Sequence, residues 1–303
     1  MDWTRLPLAR ATTDRVAHRR SEPELLSRAW ADPRTRVVLV DGARLATAAD
    51  GTSLDLVRPS AIADAGLTLY LGTDEEGELL AVVRDHPDPT RTWTSLRECG
   101  HLLGDRDTGL ATAAVGLAAW HARHPRCAQC GAPTEPDMGG WTRRCPQDGS
   151  EHYPRTDPAV IMAVTDPDDR ILLAHGAAWA PRRFSTLAGY VEPGESAEQA
   201  VVREVHEETG IDVVDPRFQG SQPWPFPASL MLAFTARATT TDIRVDALEV
   251  TEAHWFSRAA LSAAVADGGV ILPTRASVAR ALIEDWFGGP IATDPADGAA
   301  APR

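Results

Sequence analysis

Short apolar runs separated by turn-forming residues mark the first part of the chain. The runs at 36–40, 67–71 and 79–83 have the length and the flanking residues that are typical of β-strands. A later alanine-rich stretch at 110–121 predicts a helix. No catalytic motif stands out in this part of the sequence, which by itself predicts only a mixed α and β domain.

Longer apolar runs follow in the second half of the chain. Two of them, at 159–164 and 170–174, flank the turn-rich segment 165–169 and predict a hairpin. Further runs predict strands at 184–188, 230–236 and 243–245.

Two segments of the second half have helical spacing. Between Glu195 and Thr209 there is no Gly or Pro, and small apolar residues recur every three or four positions, which predicts an amphipathic helix. Ser196 near its start and Gly210 just past its end are typical helix-terminal residues. The segment 275–286 predicts another helix. Strands that alternate with helices in this way indicate an α/β/α sandwich.

The first of these helices is rich in acidic residues. Glu204 and Glu208 are four residues apart and therefore share a face, with Glu207 on its flank. Their mutual repulsion predicts a hard divalent cation, Mg²⁺ or Mn²⁺, held jointly with a substrate phosphate. Arg203 lies one turn before Glu207 and can orient a glutamate by an ion pair.

Length and charge narrow the class of protein. A chain of 303 residues is long enough for two domains. Its net charge of −13 argues against nucleic-acid binding through a broad cationic surface, but not against an anionic substrate, because a bound metal ion reverses the local field. No apolar run is long enough for a membrane span, and the arginine-rich N-terminal residues lack the apolar block of a secretory signal, so we expect a cytoplasmic protein. The Pro/Gly-rich segment 288–303 predicts a disordered tail.

Two knuckle-like sequences predict a zinc ribbon. Cys127-Ala-Gln-Cys130 is followed after fourteen residues by Cys145-Pro-Gln-Asp148, so that Asp148 stands where a fourth cysteine would complete the set. Zinc accepts carboxylate oxygen, and three thiolates with one carboxylate make a reasonable site. His152 is the rival fourth ligand, because imidazole suits zinc. The alternatives are a ribbon that has lost its metal and, in a secreted protein, disulfides.

A proline-and-aromatic segment, SQPWPFPAS, occupies residues 221–229. Its three prolines stiffen the chain and remove backbone donors. Trp224 and Phe226 offer rigid aromatic surface for stacking on a planar base, and Gln222 and Ser229 offer hydrogen bonds. The alternative is a Pro-rich edge strand whose aromatic side chains lie in the core.

These motifs together resemble a known family. Residues 189–211, GYVEPGESAEQAVVREVHEETGI, resemble the Nudix box at every fixed position, and residues 221–229 resemble the signature of NADH pyrophosphatases. The resemblance implies a catalytic Nudix α/β/α domain at 154–287, preceded by a zinc ribbon at 124–153 and by a diverged Nudix-like α+β domain at 1–123. It also implies a homodimer.

The resemblance assigns roles to individual residues. The catalytic residues it implies are Glu195, Arg203, Glu204, Glu207, Glu208 and Glu249. Glu204, Glu207, Glu208 and Glu249, with the carbonyl of Ala188, would hold Mg²⁺ or Mn²⁺. The implied substrate-binding residues are Arg97, Tyr153, Tyr190, Gln222, Pro223, Trp224, Pro225, Phe226, Pro227, Ala228, Ser229 and Ala279.

The implied reaction is hydrolysis of the diphosphate of NADH or NAD to nicotinamide mononucleotide and AMP, with Glu207 or Glu249 as general base. ADP-ribose and the NAD cap of RNA are alternative substrates. A capped RNA would need basic residues outside the pocket, for which the candidates around the ribbon are Arg123, Arg126, Arg143, Arg144 and Arg155. A non-catalytic nucleotide-binding protein is a further alternative. The presence of every acidic residue of the box argues against it.

Overall fold

The computed structural model describes residues 2, 4, 6–84 and 86–292, which divide into two compact units. The five-stranded unit contains the described residues within 10–156 together with 223–229. The six-stranded unit contains the described residues within 1–9, 157–222 and 230–303. Each is named here for its larger sheet.

The five-stranded unit is built on one mixed sheet. Its strands are β1 (Arg36–Asp41), β2 (Arg44–Thr47), β3 (Leu67–Thr73), β4 (Glu78–Val83) and β5 (Thr92–Ser95), in the order β3-β4-β1-β2-β5. Its helices are α1 (Leu25–Ala31), α2 (Leu96–Cys99) and α3 (Asp105–Arg123). Only the β1–β4 pairing is parallel among these strands. Apolar residues of β1, β3 and β4 pack with α1 in a buried core, so the apolar runs predicted as strands are confirmed.

The ribbon is a small antiparallel sheet within the same unit. It consists of β6 (Glu135–Asp137), β7 (Thr142–Arg144) and β8 (Glu151–His152). Trp141 Nε1 donates to the Tyr70 carbonyl at 2.7 Å, and Arg143 Nη1 donates to His121 Nδ1 at 2.8 Å. His121 Nε2 then donates to the Gly140 carbonyl at 2.9 Å. These bonds join the ribbon to β3 and α3 of the same unit.

The six-stranded unit has helices on both faces of its sheet. Its strands are β9 (Asp157–Thr165), β10 (Ile171–Gly176), β11 (Leu187–Tyr190), β12 (Val213–Trp224), β13 (Ser229–Ala238) and β14 (Val250–Phe256). Its helices are α4 (Ala197–Thr209), α5 (Arg258–Ala266) and α6 (Val278–Phe287). The strand order is β12-β13-β9-β10-β14, with β11 paired to β9.

Strand β9 shows how the layers form. Val160, Met162 and Val164 point to one face and share a buried core with residues of α4. The α6 helix also packs against β9, and the alternate residues of the strand supply the other face. The predicted α/β/α sandwich is confirmed.

Two segments differ from the sequence-based prediction. Residues 243–245 form no strand, although Ile243 and Val245 pack against the core of the unit. An apolar alternation can therefore arise from a loop that covers a core as well as from a strand. The strand predicted at 184–188 is displaced toward the box and becomes β11, which begins at Leu187.

The first residues of the predicted tail pack against α6. Ile291 is 4% exposed, its N–H donates to Glu284 Oε1 at 3.1 Å, and its carbonyl accepts from Arg280 Nη2 at 2.6 Å. The chain is thus packed through Ile291, and the rest of the predicted tail, 293–303, lies outside the described residues. In the part of the chain that the structure describes, no helix is long and apolar enough to cross a membrane.

Candidate active site

Local hydrogen bonds define both ends of the acidic helix. Ser196 Oγ accepts from the Gln199 N–H at 3.2 Å, and Gln199 Oε1 accepts from the Ser196 N–H at 3.0 Å. This capping box begins α4. Gly210 ends it with φ of 68°, where glycine avoids the strain that a side chain would cause. The limits predicted for this helix are confirmed.

Arg203 connects three carboxylates of the box. Its Nε and Nη2 donate to the two oxygens of Glu195 at 2.8 and 2.9 Å. Its Nη1 lies 2.9 Å from Glu204 Oε1 and 3.0 Å from Glu207 Oε2. The bidentate bond from Arg203 lowers the pKa of Glu195 to about 2. Arg203 also donates to the Tyr190 carbonyl at 3.0 Å, which ties α4 to β11.

A glycine allows β11 to approach the helix closely. A Cβ atom on Gly189 would lie 1.9 Å from Glu204 Cδ, so any side chain there would displace the carboxylate. Burial raises the pKa of Glu204, which Arg203 opposes. The first glycine of the box therefore sets the position of one glutamate.

A cavity of about 410 Å³ brings the remaining predicted groups together. Glu208, Glu249 and Ala188 all line it. Glu208 is only 8% exposed. Burial, followed by the nearby charges of Glu204 and Glu249, raises the pKa of Glu208 to about 8. A carboxylate held this way binds a cation or a proton at neutral pH.

A turn that the sequence analysis missed holds Glu249. The carboxylate of Asp246 accepts from the N–H of Glu249 at 3.1 Å and from the N–H of Val250 at 2.9 Å. The Asp246 N–H donates in turn to the Glu208 carbonyl at 3.3 Å. Asp246 thus connects the end of α4 to the strand that follows Glu249. The signal in the sequence was an aspartate followed by a short turn, which is typical of this side-chain-to-backbone motif.

The two cysteine knuckles have matching geometry. The N–H of Cys127 donates to Ala132 O at 2.8 Å, and the N–H of Cys145 donates to Ser150 O at 2.9 Å. The glycine of each knuckle, Gly131 or Gly149, has φ of 77°. The second knuckle therefore presents Asp148 where the first presents Cys130.

The four residues predicted to bind zinc in the ribbon lie close together. One ligand atom each from Cys127, Cys130, Cys145 and Asp148 lie within 4.8 Å of one another, and the cysteines are free thiols. Asp148 Oδ1 accepts from Ser150 Oγ at 2.6 Å, which orients the carboxylate. His152 Nε2 is instead 3.2 Å from Ser150 Oγ and lies outside the group. Three thiolates and a carboxylate are a donor set that fits a structural zinc ion.

Comparisons with known proteins match the two regions that contain these groups. The NUDIX domain model matches residues 155–274, and the NADH pyrophosphatase zinc ribbon model matches residues 122–153. A protein named NAD-capped RNA hydrolase NudC from Mycobacterium bovis is 38% identical over 301 residues, covering 92% of this chain and 94% of that protein. The chain belongs to the NADH pyrophosphatase family of Nudix hydrolases.

Two further matches cover less of this chain. A NAD-capped RNA hydrolase NudC from Deinococcus radiodurans is 44% identical over 193 residues, which are 63% of this Nudix hydrolase and 66% of that protein. A crystal structure of a NUDIX hydrolase from Nitrosomonas europaea is 22% identical, with a TM-score of 0.43, and covers 55% of this chain and 94% of that chain.

Two residues predicted to bind substrate are buried within this Nudix hydrolase. Gln222 is 0% exposed; its Oε1 accepts from the Leu8 N–H at 3.2 Å and its Nε2 donates to the Ala276 carbonyl at 3.0 Å. Ala279 is 2% exposed within α6. Neither side chain presents a free group to a ligand in this structure, and the roles of both residues in substrate binding stay predictions.

The proline-and-aromatic segment forms the turn between β12 and β13. Residues 225–228 make the turn, and Trp224 and Phe226 pack edge to face with ring centroids 4.9 Å apart. The Arg97 guanidinium lies 4.1 Å from the Phe226 centroid and 5.1 Å from that of Trp224. Burial lowers the pKa of Arg97. The structure thus brings together three of the predicted substrate-binding residues.

The remaining residues predicted to bind substrate differ in their exposure to solvent. Tyr190 is 55% exposed on β11. Tyr153 is 64% exposed, and its hydroxyl donates to Glu151 Oε2 at 2.7 Å. Ser229 and Pro225 are buried. Pro223, Pro227 and Ala228 are partly exposed around the turn.

Several ribbon arginines are already engaged in the family fold. Arg143 is 8% exposed and donates from Nε to Thr134 Oγ1 at 2.7 Å. Arg144 forms ion pairs with Asp137 at 2.9 Å and Glu151 at 2.5 Å. Arg126 donates to the Gly131 carbonyl at 3.1 Å. Of the residues predicted to contact RNA, Arg143 is therefore a structural residue that RNA would not reach.

Proposed function

We propose that this Nudix hydrolase cleaves the diphosphate of NADH and NAD, giving nicotinamide mononucleotide and AMP, and cleaves the same linkage in the NAD cap of RNA. The observation that carries this proposal is the cavity in which Glu208, Glu249 and the Ala188 edge of β11 meet. The names of the relatives, NAD-capped RNA hydrolases at 38% and 44% identity, support the substrate.

The chemistry of the cavity fits a hard divalent cation. Glu208 lies close enough to the charges of Glu204 and Glu249 for each to raise its pKa, and all three offer oxygen ligands. Across the described residues, the ribbon is the only group of three or more His, Cys, Asp or Glu ligand atoms that all lie within 4.8 Å. The looser glutamate set suits Mg²⁺ or Mn²⁺, which keep several waters and share a substrate phosphate. Such an ion neutralises phosphate charge and lowers the pKa of water.

The glutamates of the box divide into those that would hold the ion and those that fix other side chains. Glu204 and Glu208 would hold the ion, with the Ala188 carbonyl and Glu249 beside them. Glu195 is less suited to that task, because Arg203 already donates to both of its oxygens. Its role is to fix Arg203, which in turn fixes Glu204 and Glu207.

The geometry favours Glu249 over Glu207 as general base. Glu249 lines the cavity beside Glu208. Glu207 has 59% of its side chain exposed and is paired with Arg203. A base must reach the water that attacks phosphorus, and a carboxylate on the cavity wall meets that condition.

We also propose that Trp224, Phe226 and Arg97 contact the nucleotide. Two aromatic faces with a guanidinium stacked on them suit a nucleotide, because the rings stack on a base and the cation pairs with phosphate. Replacing Arg97 with Ala should raise KM for NADH with a smaller effect on kcat. An unchanged KM would remove Arg97 from the substrate site.

We further propose that the enzyme is a homodimer and is located in the cytoplasm, as the resemblance in sequence implies. Light scattering of the purified protein tests the dimer. A monomer at every concentration that supports full activity would reject it.

Product analysis tests the reaction. NADH, NAD, ADP-ribose and NAD-capped RNA are incubated with the enzyme and Mg²⁺ or Mn²⁺. Glu208→Gln should lose more than about 100-fold in kcat, because it removes a ligand from the ion itself. Glu198→Gln, on the exposed first turn of α4, is the matched control. No turnover of any substrate would reject the reaction, and full activity of Glu208→Gln would reject the metal assignment.

A further inference from the structure

The sheet is irregular next to the cavity. In the pairing of β10 with β14, His175 lies opposite Glu252, but Gly176 lies opposite Val250, so the register shifts between the two residues. Such a bulge bends a strand and redirects its side chains. The chain then turns, and the Trp179 N–H donates to the Gly176 carbonyl at 2.9 Å.

The turn after the bulge presents the indole of Trp179. A Cβ atom on Gly176 would lie 3.0 to 3.2 Å from three atoms of the indole, so the ring lies against a residue without a side chain. Trp179 nevertheless remains 45% exposed. The Ala177 N–H donates to the Glu249 carbonyl at 2.8 Å, which ties this turn to the backbone of the proposed general base.

Leu248 supplies a second apolar group at the same place. It is 82% exposed and directly precedes Glu249. Trp179 and Leu248 line the cavity that also contains Glu208 and Glu249. A concave site with an apolar wall and a few polar groups is typical of small-molecule recognition. Exposed large apolar side chains at such a site offer contact area to a ligand.

We propose that Trp179 and Leu248 form a subsite for one planar base of the dinucleotide. This inference rests on the proposed function. The carboxylates would take the diphosphate with its cation, and the indole would stack on the heteroaromatic ring at the other side of the same cavity. Nicotinamide and adenine share this chemistry, and the two mononucleotide products distinguish them.

Calorimetry with the two products tests the subsite. Nicotinamide mononucleotide and AMP are titrated separately into the Mg²⁺-loaded wild-type enzyme and into Trp179→Ala, Trp179→Phe and Leu248→Ala. Trp179→Ala should weaken binding of at least one product by about tenfold or more, because an aromatic stacking partner is lost. Trp179→Phe keeps an aromatic ring and should retain most of the affinity.

The matched control is Phe218→Ala. Phe218 is an exposed aromatic residue of β12, 58% exposed, and does not line the cavity. Its replacement should leave both affinities unchanged. In turnover of NADH, Trp179→Ala should raise KM with little change in kcat, because stacking is equal in the ground and transition states.

The calorimetric results show which base, if any, the Trp179–Leu248 subsite binds. Weaker binding of nicotinamide mononucleotide alone assigns the subsite to nicotinamide, weaker binding of AMP alone assigns it to adenine, and weaker binding of both means that either base enters. Wild-type affinity for both products in Trp179→Ala and Leu248→Ala would overturn the subsite while leaving the hydrolase intact. Failure of the wild-type enzyme to cleave any dinucleotide would overturn the proposed function instead.

Discussion

Gly189 packs directly against the carboxylate of Glu204, with room for no side chain at all between β11 and α4. This contact makes a specific prediction. Gly189→Ala should keep the fold but move Glu204, lowering kcat by about 100-fold, since small displacements of catalytic groups have effects of that order. Steady-state kinetics and circular dichroism measure the two quantities.

Gly289→Ala is the control for that substitution. A Cβ atom at Gly289 would have no neighbour within 4 Å, so its kinetics should match those of the wild type. If Gly189→Ala is as active as the wild type, the contact with Glu204 does not position the carboxylate.

The ionisation of Glu208 makes the stability of the metal-free protein depend on pH. Its pKa is raised from 4.5 to about 8 in the folded state, so the folded form holds a proton that the unfolded chain releases. The contribution of Glu208 is fully favourable below the unfolded pKa and is lost as the pH rises toward 8. In chelator, the melting temperature of the wild type minus that of Glu208→Gln should fall across this range. A difference that stays constant would show that Glu208 is already ionised.

Asp246 acts on Glu249 through the backbone of its turn. Asp246→Ala removes the acceptor for the N–H groups of Glu249 and Val250 and should lower kcat by about tenfold or more. Asp246→Asn keeps an acceptor oxygen and should restore most of the activity. Equal losses in the two variants would mean that the charge of Asp246, not its hydrogen bonds, is required.

The ribbon prediction concerns metal content rather than activity. Asp148→Ala should reduce the zinc bound per purified chain, and Asp148→Cys should retain it, because the matched knuckles place residue 148 in the position of Cys130. His152→Ala should bind zinc as the wild type does. Elemental analysis measures each value, and zinc loss in His152→Ala alone would reverse the choice of fourth ligand.

Local features of the site were the most predictable from sequence. The limits of α4 depend on Ser196 and Gly210, which act within a few residues, and the Arg203–Glu207 ion pair follows from helical spacing. The second knuckle could also be aligned with the first by its own residues. In each case the partner lies nearby in the chain, where spacing determines contact.

Residues with distant partners were not predictable in the same way. Gln222 is polar and lies in a proline-rich segment, yet the backbone of Leu8 and Ala276 satisfies its amide inside the core. Ile243 and Val245 alternate as in a strand but cover the core from a loop. The exposure of Trp179 and Leu248 depends on a bulge and a turn, which leave no periodic pattern in the sequence.

The burial of Glu208 also affects how the enzyme exchanges protons with its solvent. A carboxyl group with a pKa of about 8 enters metal binding with its proton in place at neutral pH, and a cation can bind only the ionised form. Binding of the cation to Glu208 should therefore release its proton to the buffer. The heat measured when Mg²⁺ binds to the wild-type protein should change with the ionisation enthalpy of the buffer.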